Sequence, residues 1–200
     1  MTVTSGDIFR LVVGYEMPNE QEASNVLGLK INSGTGTDLE MAAAAAAFIT
    51  SLYANLQGVI HNQVDLAECR LVEVTWAGAE WITARVLGTF SPAFTPTDAN
   101  DMLPHAVAPV ITLPTLDPKR KGKVKLTGFS EVQQAESDLV TGAKTAMSNF
   151  AVDLRAGFTA GTAAVEYAVL GDDGAARSST GYIIRSIVGS QRSRKPGIGI

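Results

Sequence analysis

Apolar and polar residues mix in a β-rich run over Phe9-Arg10-Leu11-Val12-Val13-Gly14-Tyr15, and Pro18 and Asn19 mark a turn after it. Val26 to Ile31 predicts a second strand. The Gly/Ser/Thr segment from Asn32 to Thr37 is expected to be a flexible β-to-α loop ending at a helix N-cap, either Thr37 or Asp38. From Leu39 to Ile60 the period changes. Phe48, Ile49, Leu52, Tyr53, Leu56, Val59 and Ile60 recur at steps of three and four, which predicts a helix with one apolar stripe. The six alanines Ala42 to Ala47 favour that helix and let another backbone approach closely. Strands are expected again at Glu68 to Trp76 and Glu80 to Leu87, joined by the turn residues Ala77-Gly78-Ala79.

Phe90 to Pro104 carries Pro92, Pro96 and Pro104 among Thr, Asp and Asn, and is expected to be a connecting loop. After it the order of elements repeats. Strands are predicted at Val107 to Leu113 and Lys123 to Thr127 around a turn region, Pro114 to Gly122. A long helix from Ser130 to about Arg155 has Val132, Ala135, Leu139, Ala143, Met147, Phe150 and Leu154 as its stripe. Two more strands, Ala163 to Leu170 and Gly181 to Val188, flank a turn around Gly171-Asp172-Asp173-Gly174. Both halves therefore run strand–strand–helix–strand–strand. Phe9 to Ile31 and Val107 to Phe129 are each 23 residues long, and Val72-Glu73-Val74 corresponds in place to Val165-Glu166-Tyr167.

The expected fold class is α+β: an antiparallel sheet with two long helices on one face, built from two similar ββαββ halves. Residues 1–90 form the first half, 91–106 the connecting loop, 107–190 the second half and 191–200 a tail, all within one domain. A sheet covered on one face leaves the other to solvent or to a partner.

Composition narrows the function. With 200 residues, 46% hydrophobic and 18% charged, the chain can bury a substantial core. So little charge is characteristic of surfaces that meet other protein. The net charge of −4 gives no global pull toward nucleic acid or an anionic membrane, so any such contact must be local. Cys69 is the single cysteine, which excludes an intrachain disulfide; its alternating apolar surroundings predict a buried small hydrophobe. Met1 to Asp7 has neither a basic nor an apolar leader region. The longest low-polarity run, Met41 to Ile49, is far short of a membrane span, so a soluble protein made in a cytosol is expected.

Catalytic groups are sparse. His61 and His105 are the only histidines, and each falls at an element boundary. Gly34-Thr35-Gly36 precedes a helix but lacks the third glycine and the Lys-Ser/Thr pair of a phosphate loop. Asp172 and Asp173 lie in a turn, where Asp is common for its local backbone hydrogen bonds, and Asp98 and Asp101 are similar loop acids. No catalytic residue, metal or cofactor is expected, and the reading is of a protein that is not an enzyme.

Two basic segments stand out. Lys119-Arg120-Lys121-Gly122-Lys123-Val124-Lys125 holds five cations in seven residues; a hairpin there would grip phosphate, with Lys123 and Lys125 on one strand face. No aromatic residue is interleaved for base stacking. Ser190 to Ile200 carries Arg192, Arg194 and Lys195, then Pro196-Gly197 and an apolar tip. Pro196, Ile198 and Ile200 are expected to dock on a neighbouring subunit, with the three cations near phosphate or an acidic surface.

Leu103-Pro104-His105-Ala106-Val107-Ala108-Pro109-Val110-Ile111, the basic turn and strand through Phe129, and the Ser190 to Gly199 tail together resemble coat proteins of small RNA viruses, of levivirus-like or tombus-like kind. Thr112-Leu113-Pro114-Thr115 departs from that pattern, where an Arg-Thr pair is frequent. The chain has no Arg-rich N-terminal arm, and two long helices suit a levivirus-type coat better than a jelly roll. The resemblance implies a virion protein made in the host cytoplasm, partnered by copies of itself, in dimers within a shell, and by genomic nucleic acid, RNA in kind. In such coats the sheet faces the genome. A tail-tube, terminator or neck component of a tailed phage, forming rings, is the alternative. A small enzyme or ligand-binding module with its site in the 90–104 loop is the second.

Overall fold

In a computed structural model, residues 1–17, 21–55, 65–92, 107–114, 121–125, 136–178 and 185–190 are described. The chain is α+β: antiparallel strands dominate, and two long helices accompany them. Strands β2 (Ile8–Met17) and β3 (Gln21–Ser33) pair in antiparallel register from Ile8↔Lys30 to Met17↔Gln21. Helix α1 (Asp38–Ala54) follows, then β5 (Asp65–Trp76) and β6 (Trp81–Phe90) as a second hairpin. β5 pairs with β2, so the order is β3-β2-β5-β6.

Alternation along these strands builds one core. Phe9, Leu11 and Val13 of β2 point to the same side as Leu27, Leu29 and Ile31 of β3 and Cys69 and Leu71 of β5, and all are buried. Met41, Ala45, Ile49 and Leu52 of α1 close over them. Gly88 of β6 lies under Ala42, whose Cβ is 2.8 Å from where a side chain at residue 88 would begin. The small helix face thus meets a bare strand, as the alanine run predicts. Helix α1 starts at a full capping box: the Thr37 hydroxyl accepts from the Glu40 N–H (3.2 Å), and the Glu40 carboxylate accepts from the Thr37 N–H (2.8 Å).

The segment expected to be a flexible loop is instead structured. Thr35–Thr37 is a strand, β4, paired with β1 (Thr2–Thr4). Gly34 has φ +78°, and a Cβ there would lie 1.9 Å from the Thr162 carbonyl oxygen. A Cβ at Gly36 would lie 2.5 Å from the Ala160 oxygen. These glycines serve tight backbone crossing rather than mobility.

The second half of the chain divides between sheets. β7 (Val107–Pro114) pairs with β8 (Lys121–Lys125) and with β12 (Arg185–Ser190) in a three-stranded sheet. Helix α2 (Glu136–Ala156) ends at Gly157, φ +67°, whose N–H donates to the Asp153 carbonyl. Then β9 (Phe158–Ala160), β10 (Ala163–Leu170) and β11 (Ala176–Ser178) follow, and β10 adds to β3. Val165 pairs with Ile31 and Tyr167 with Leu29, so both enter the core beneath α1. Phe150 and Leu154 of α2 join it there, with the Phe150 ring edge-on to Tyr53 at 5.9 Å.

Several boundaries shift from expectation. Strands β2 and β3 extend beyond the predicted runs, β6 reaches Phe90, and β8 begins at Lys121, inside the predicted turn. Residues 56–60 and 130–135, predicted as helix, 126–127 and 181–184, predicted as strand, the turn positions 18–19 and 115–120, and the loop positions 93–106 lie outside the described residues.

The seven-stranded sheet curls toward the face opposite the helices. Gly14 and Gly28 both belong to that face, and a Cβ on either would lie 2.3 Å from a neighbouring strand's carbonyl oxygen, that of Glu68 and Ala168 respectively. Only glycine lets β5 and β10 bend over the face at these points. Register shifts in the β2–β5 and β5–β6 pairs add to the bend.

Candidate functional site: a basic strand and the open face of the sheet

Of the residues expected to touch nucleic acid, Lys121, Lys123 and Lys125 lie in β8, an edge of the three-stranded sheet among the described strands, opposite Pro114, Thr112 and Val110 of β7. They occupy alternate positions of one strand and so belong to one face. Lys119, Arg120, Arg192, Arg194 and Lys195, and the expected docking residues Pro196, Ile198 and Ile200, lie outside the described residues, as do His61, His105, Asp98 and Asp101. Ser190 pairs with Val107 at one end of the β7–β12 ladder.

The open face of the larger sheet carries no mark in the sequence. Its cross-strand pairs form a checkerboard: Val26 beside Val12 beside Arg70 in one row, Gly28 beside Arg10 beside Val72 beside Val86 in the next. These residues, with Thr83, line an open concavity of about 500 Å³. Val26 and Val86 are 49% and 56% exposed. Arg10 donates from Nη1 to the Trp81 carbonyl at 3.3 Å. Arg70 lies 3.8 Å from Glu68, with both side chains more than half exposed, a pairing worth little in water.

Two tryptophans tie the β5–β6 hairpin to the turn after β10. Trp76 and Trp81 sit edge to face with ring centres 5.5 Å apart. The Trp81 indole N–H donates to the Gly171 carbonyl at 2.8 Å, and Gly174, φ +78°, lies directly against the Trp76 ring. The turn is fixed internally: the Asp173 carboxylate accepts from the Ala175 N–H (3.1 Å) and from both terminal nitrogens of Arg177. The Arg177 hydrogen bonds hold the Asp173 carboxyl down at about 2. This is the local structural role that the Asp-containing turn predicts.

On the helix-covered face, Arg85 bridges two carboxylates. Its Nη1 meets Asp38 Oδ2 at 2.6 Å and its Nε meets Glu73 Oε2 at 2.5 Å, and the Met1 amine lies 3.4 Å from the same Asp38 oxygen. The Arg85 hydrogen bond lowers the Asp38 carboxyl below its ordinary value, and the backbone N–H of Thr37 does the same for Glu40. The cluster ties the start of α1 to β6 and has a structural geometry. Cys69 is buried, as expected, and burial raises its thiol. A second, shallower groove of about 350 Å³ runs between α1 and the end of α2, lined by Ala44, Ala47, Ser51, Asp153 and Phe158 among others.

Among the described residues, no three His, Cys, Asp or Glu side chains gather as a metal site, and no helix is long and apolar enough to cross a membrane. No known family model, curated protein or solved structure matches the chain. Any reading of function therefore stands on its own residues and geometry.

Proposed function

We propose that this chain is a viral coat subunit that assembles with copies of itself into a closed shell around a nucleic-acid genome, RNA by the resemblance of its basic segments. The observation that supports the reading is that Lys121, Lys123 and Lys125 fall at alternate positions of β8, an edge strand among the described strands. Cations spaced in that way neutralise successive phosphates without a basic protein overall, consistent with the net charge of −4. Helices covering only one face of the larger sheet are the arrangement that the levivirus-like resemblance implies. β6, whose only partner among the described strands is β5, offers a second edge for subunit contact. Dimers would form through such edges or through the helices, and the dimers would close symmetrically.

The repeated strand–strand–helix–strand–strand order belongs to the same reading as an ancestral duplication. The hairpins β2–β3 and β7–β8 correspond in it, while β10 has been taken up by the first sheet.

The test is to express the full chain, fractionate it by size, and image the largest fraction by negative stain. Uniform closed particles with a nuclease-sensitive 260-nm absorbance are the expected result. Replacing Lys121, Lys123 and Lys125 together by Gln should leave particles that hold markedly less RNA and lose it at lower salt. A chain ending at Gln191 should fold but assemble poorly. Rings or tubes would favour the phage-tail alternative, and a monomer at every salt and pH would refute assembly.

A further inference from the structure

We propose that the concave face of the sheet binds a small aliphatic carboxylate, its head on Arg10 and Arg70 and its chain along Val12, Val26, Val72 and Val86. The inference goes beyond the coat-protein reading and does not rest on it: the lysines that carry that reading are in β8, on a different sheet.

The charge arrangement comes first. Arg10 is directly opposite Val72, and Arg70 is directly opposite Val12, so the two arginines are diagonal neighbours on β2 and β5. Diagonal positions on adjacent strands lie about 7–8 Å apart, within the reach of two long side chains converging on one anion. Among the described residues Arg10 is anchored at one nitrogen by the Trp81 carbonyl, which leaves the rest of its fork for another acceptor. Among the described residues, Arg70 has a loose, exposed contact with Glu68 to give up. Two guanidiniums on one face repel each other, and a carboxylate between them removes the repulsion while accepting charge-assisted hydrogen bonds.

The apolar part is equally specific. Val26 pairs with Val12, and Val72 pairs with Val86, so aliphatic side chains flank the arginines in both rows. Thr83 of β6 completes the lining. The resulting space of about 500 Å³ is of the size that holds small ligands. Among the described residues no aromatic ring lines it, so a nucleobase would have nothing to stack on, whereas an aliphatic chain finds branched side chains.

Titration calorimetry of the full chain with hexanoate, octanoate and decanoate, each below its micelle concentration, tests this. The dissociation constant should fall roughly three- to fourfold per added methylene as the chain covers the valines. Decanol, with the same chain and no anion, should bind at least about tenfold more weakly. Arg70→Gln should weaken decanoate binding at least about tenfold, with circular dichroism and melting temperature unchanged because the residue is exposed. Val86→Asp should abolish binding by placing a charge where the aliphatic chain would lie. Absence of saturable decanoate binding, or equal binding by Arg70→Gln, would overturn the proposal. So would saturable binding of a short single-stranded RNA, lost in Arg70→Gln, with decanoate inert; that result would make the face a nucleic-acid contact.

Discussion

The Trp81 indole nitrogen donates to the Gly171 carbonyl oxygen at 2.8 Å across 90 positions of sequence, joining the β5–β6 hairpin to the β10–β11 turn although three other strands order the sheet between β10 and β6. Only a strongly curled sheet brings those two residues together.

Trp81→Phe keeps the ring stacked near Trp76 and removes only the donor. It should destabilise the protein by about 1 kcal/mol, the usual net worth of one hydrogen bond. Amide exchange should rise selectively in 171–178 while the β2–β3 pair stays protected. Uniform loss of protection would contradict a local closing role.

Two glycines of similar backbone conformation separate steric need from conformational need. A Cβ at Gly34 (φ +78°) would lie 1.9 Å from the Thr162 oxygen, whereas nothing lies within 4 Å of a Cβ at Gly78 (φ +91°). Gly78→Ala should cost about 1–2 kcal/mol for the left-handed backbone alone. Gly34→Ala carries the same cost plus displacement of the 160–162 segment, and should exceed it by at least about 1 kcal/mol in urea unfolding. Equal losses would mean that the crossing can relax.

Acid should weaken the start of α1. Asp38 is lowered chiefly by its Arg85 hydrogen bond and Glu40 by the Thr37 N–H, so both favour the ionised form in the folded state. Their contribution is complete above the ordinary carboxylate range and is lost as pH falls through the lowered folded values. Stability should therefore be flat near neutrality and decline below about pH 4. Arg85→Met should remove about 1–2 kcal/mol at pH 7, leaving Asp38 and Glu73 without their shared cation, and the wild-type advantage should shrink in acid. An advantage that is unchanged at low pH would show that Arg85 acts through packing alone.

Phe150 and Tyr53 test whether the two halves share a core. Phe150 is fully buried against Tyr53, and Leu154, Val165 and Tyr167 enter the same cluster. Phe150→Ala should cost about 3–5 kcal/mol, with one cooperative transition followed by both tryptophan fluorescence and circular dichroism. A fragment of residues 1–92 should fail to fold, because the β3 edge and the core beneath α1 lose their covering residues. A folded fragment would establish two independent halves.

Much of the local structure is legible in the chain itself. Thr37 or Asp38 marks the helix start, the three-and-four stripe through Phe48, Ile49, Leu52 and Tyr53 marks the buried helix face, and the residues around Gly78 mark a hairpin turn, while only the structure selects Thr37 as the cap. Each depends on contacts a few residues apart, so spacing along the chain specifies it. The burial of Cys69 follows from the alternation around it in the same way.

The short strands β1, β4 and β9 are not legible in this way. Each has three residues, too few to show alternation, and each exists because a neighbouring backbone supplies its hydrogen bonds. Gly34-Thr35-Gly36 therefore reads as a loop when taken alone. Strand β10 is long enough to show Val165 and Tyr167 alternating toward the core, but alternation does not say which edge receives it. Its place beside β3 rather than β7 follows from burial: Val165 and Tyr167 pair beside Ile31 and Leu29 over the core that α1 and α2 share.

The open face with Arg10, Arg70 and its valines is hidden for the same reason. Its members come from four strands, and it becomes concave only because Gly14 and Gly28 let neighbouring strands bend across it. The sequence by itself determined the helices, the hairpins and which residues of each strand are apolar, since these depend on near neighbours along the chain. Which strands lie side by side, and what their second face can hold, depended on distant segments competing for the same core, and only the tertiary structure decided that.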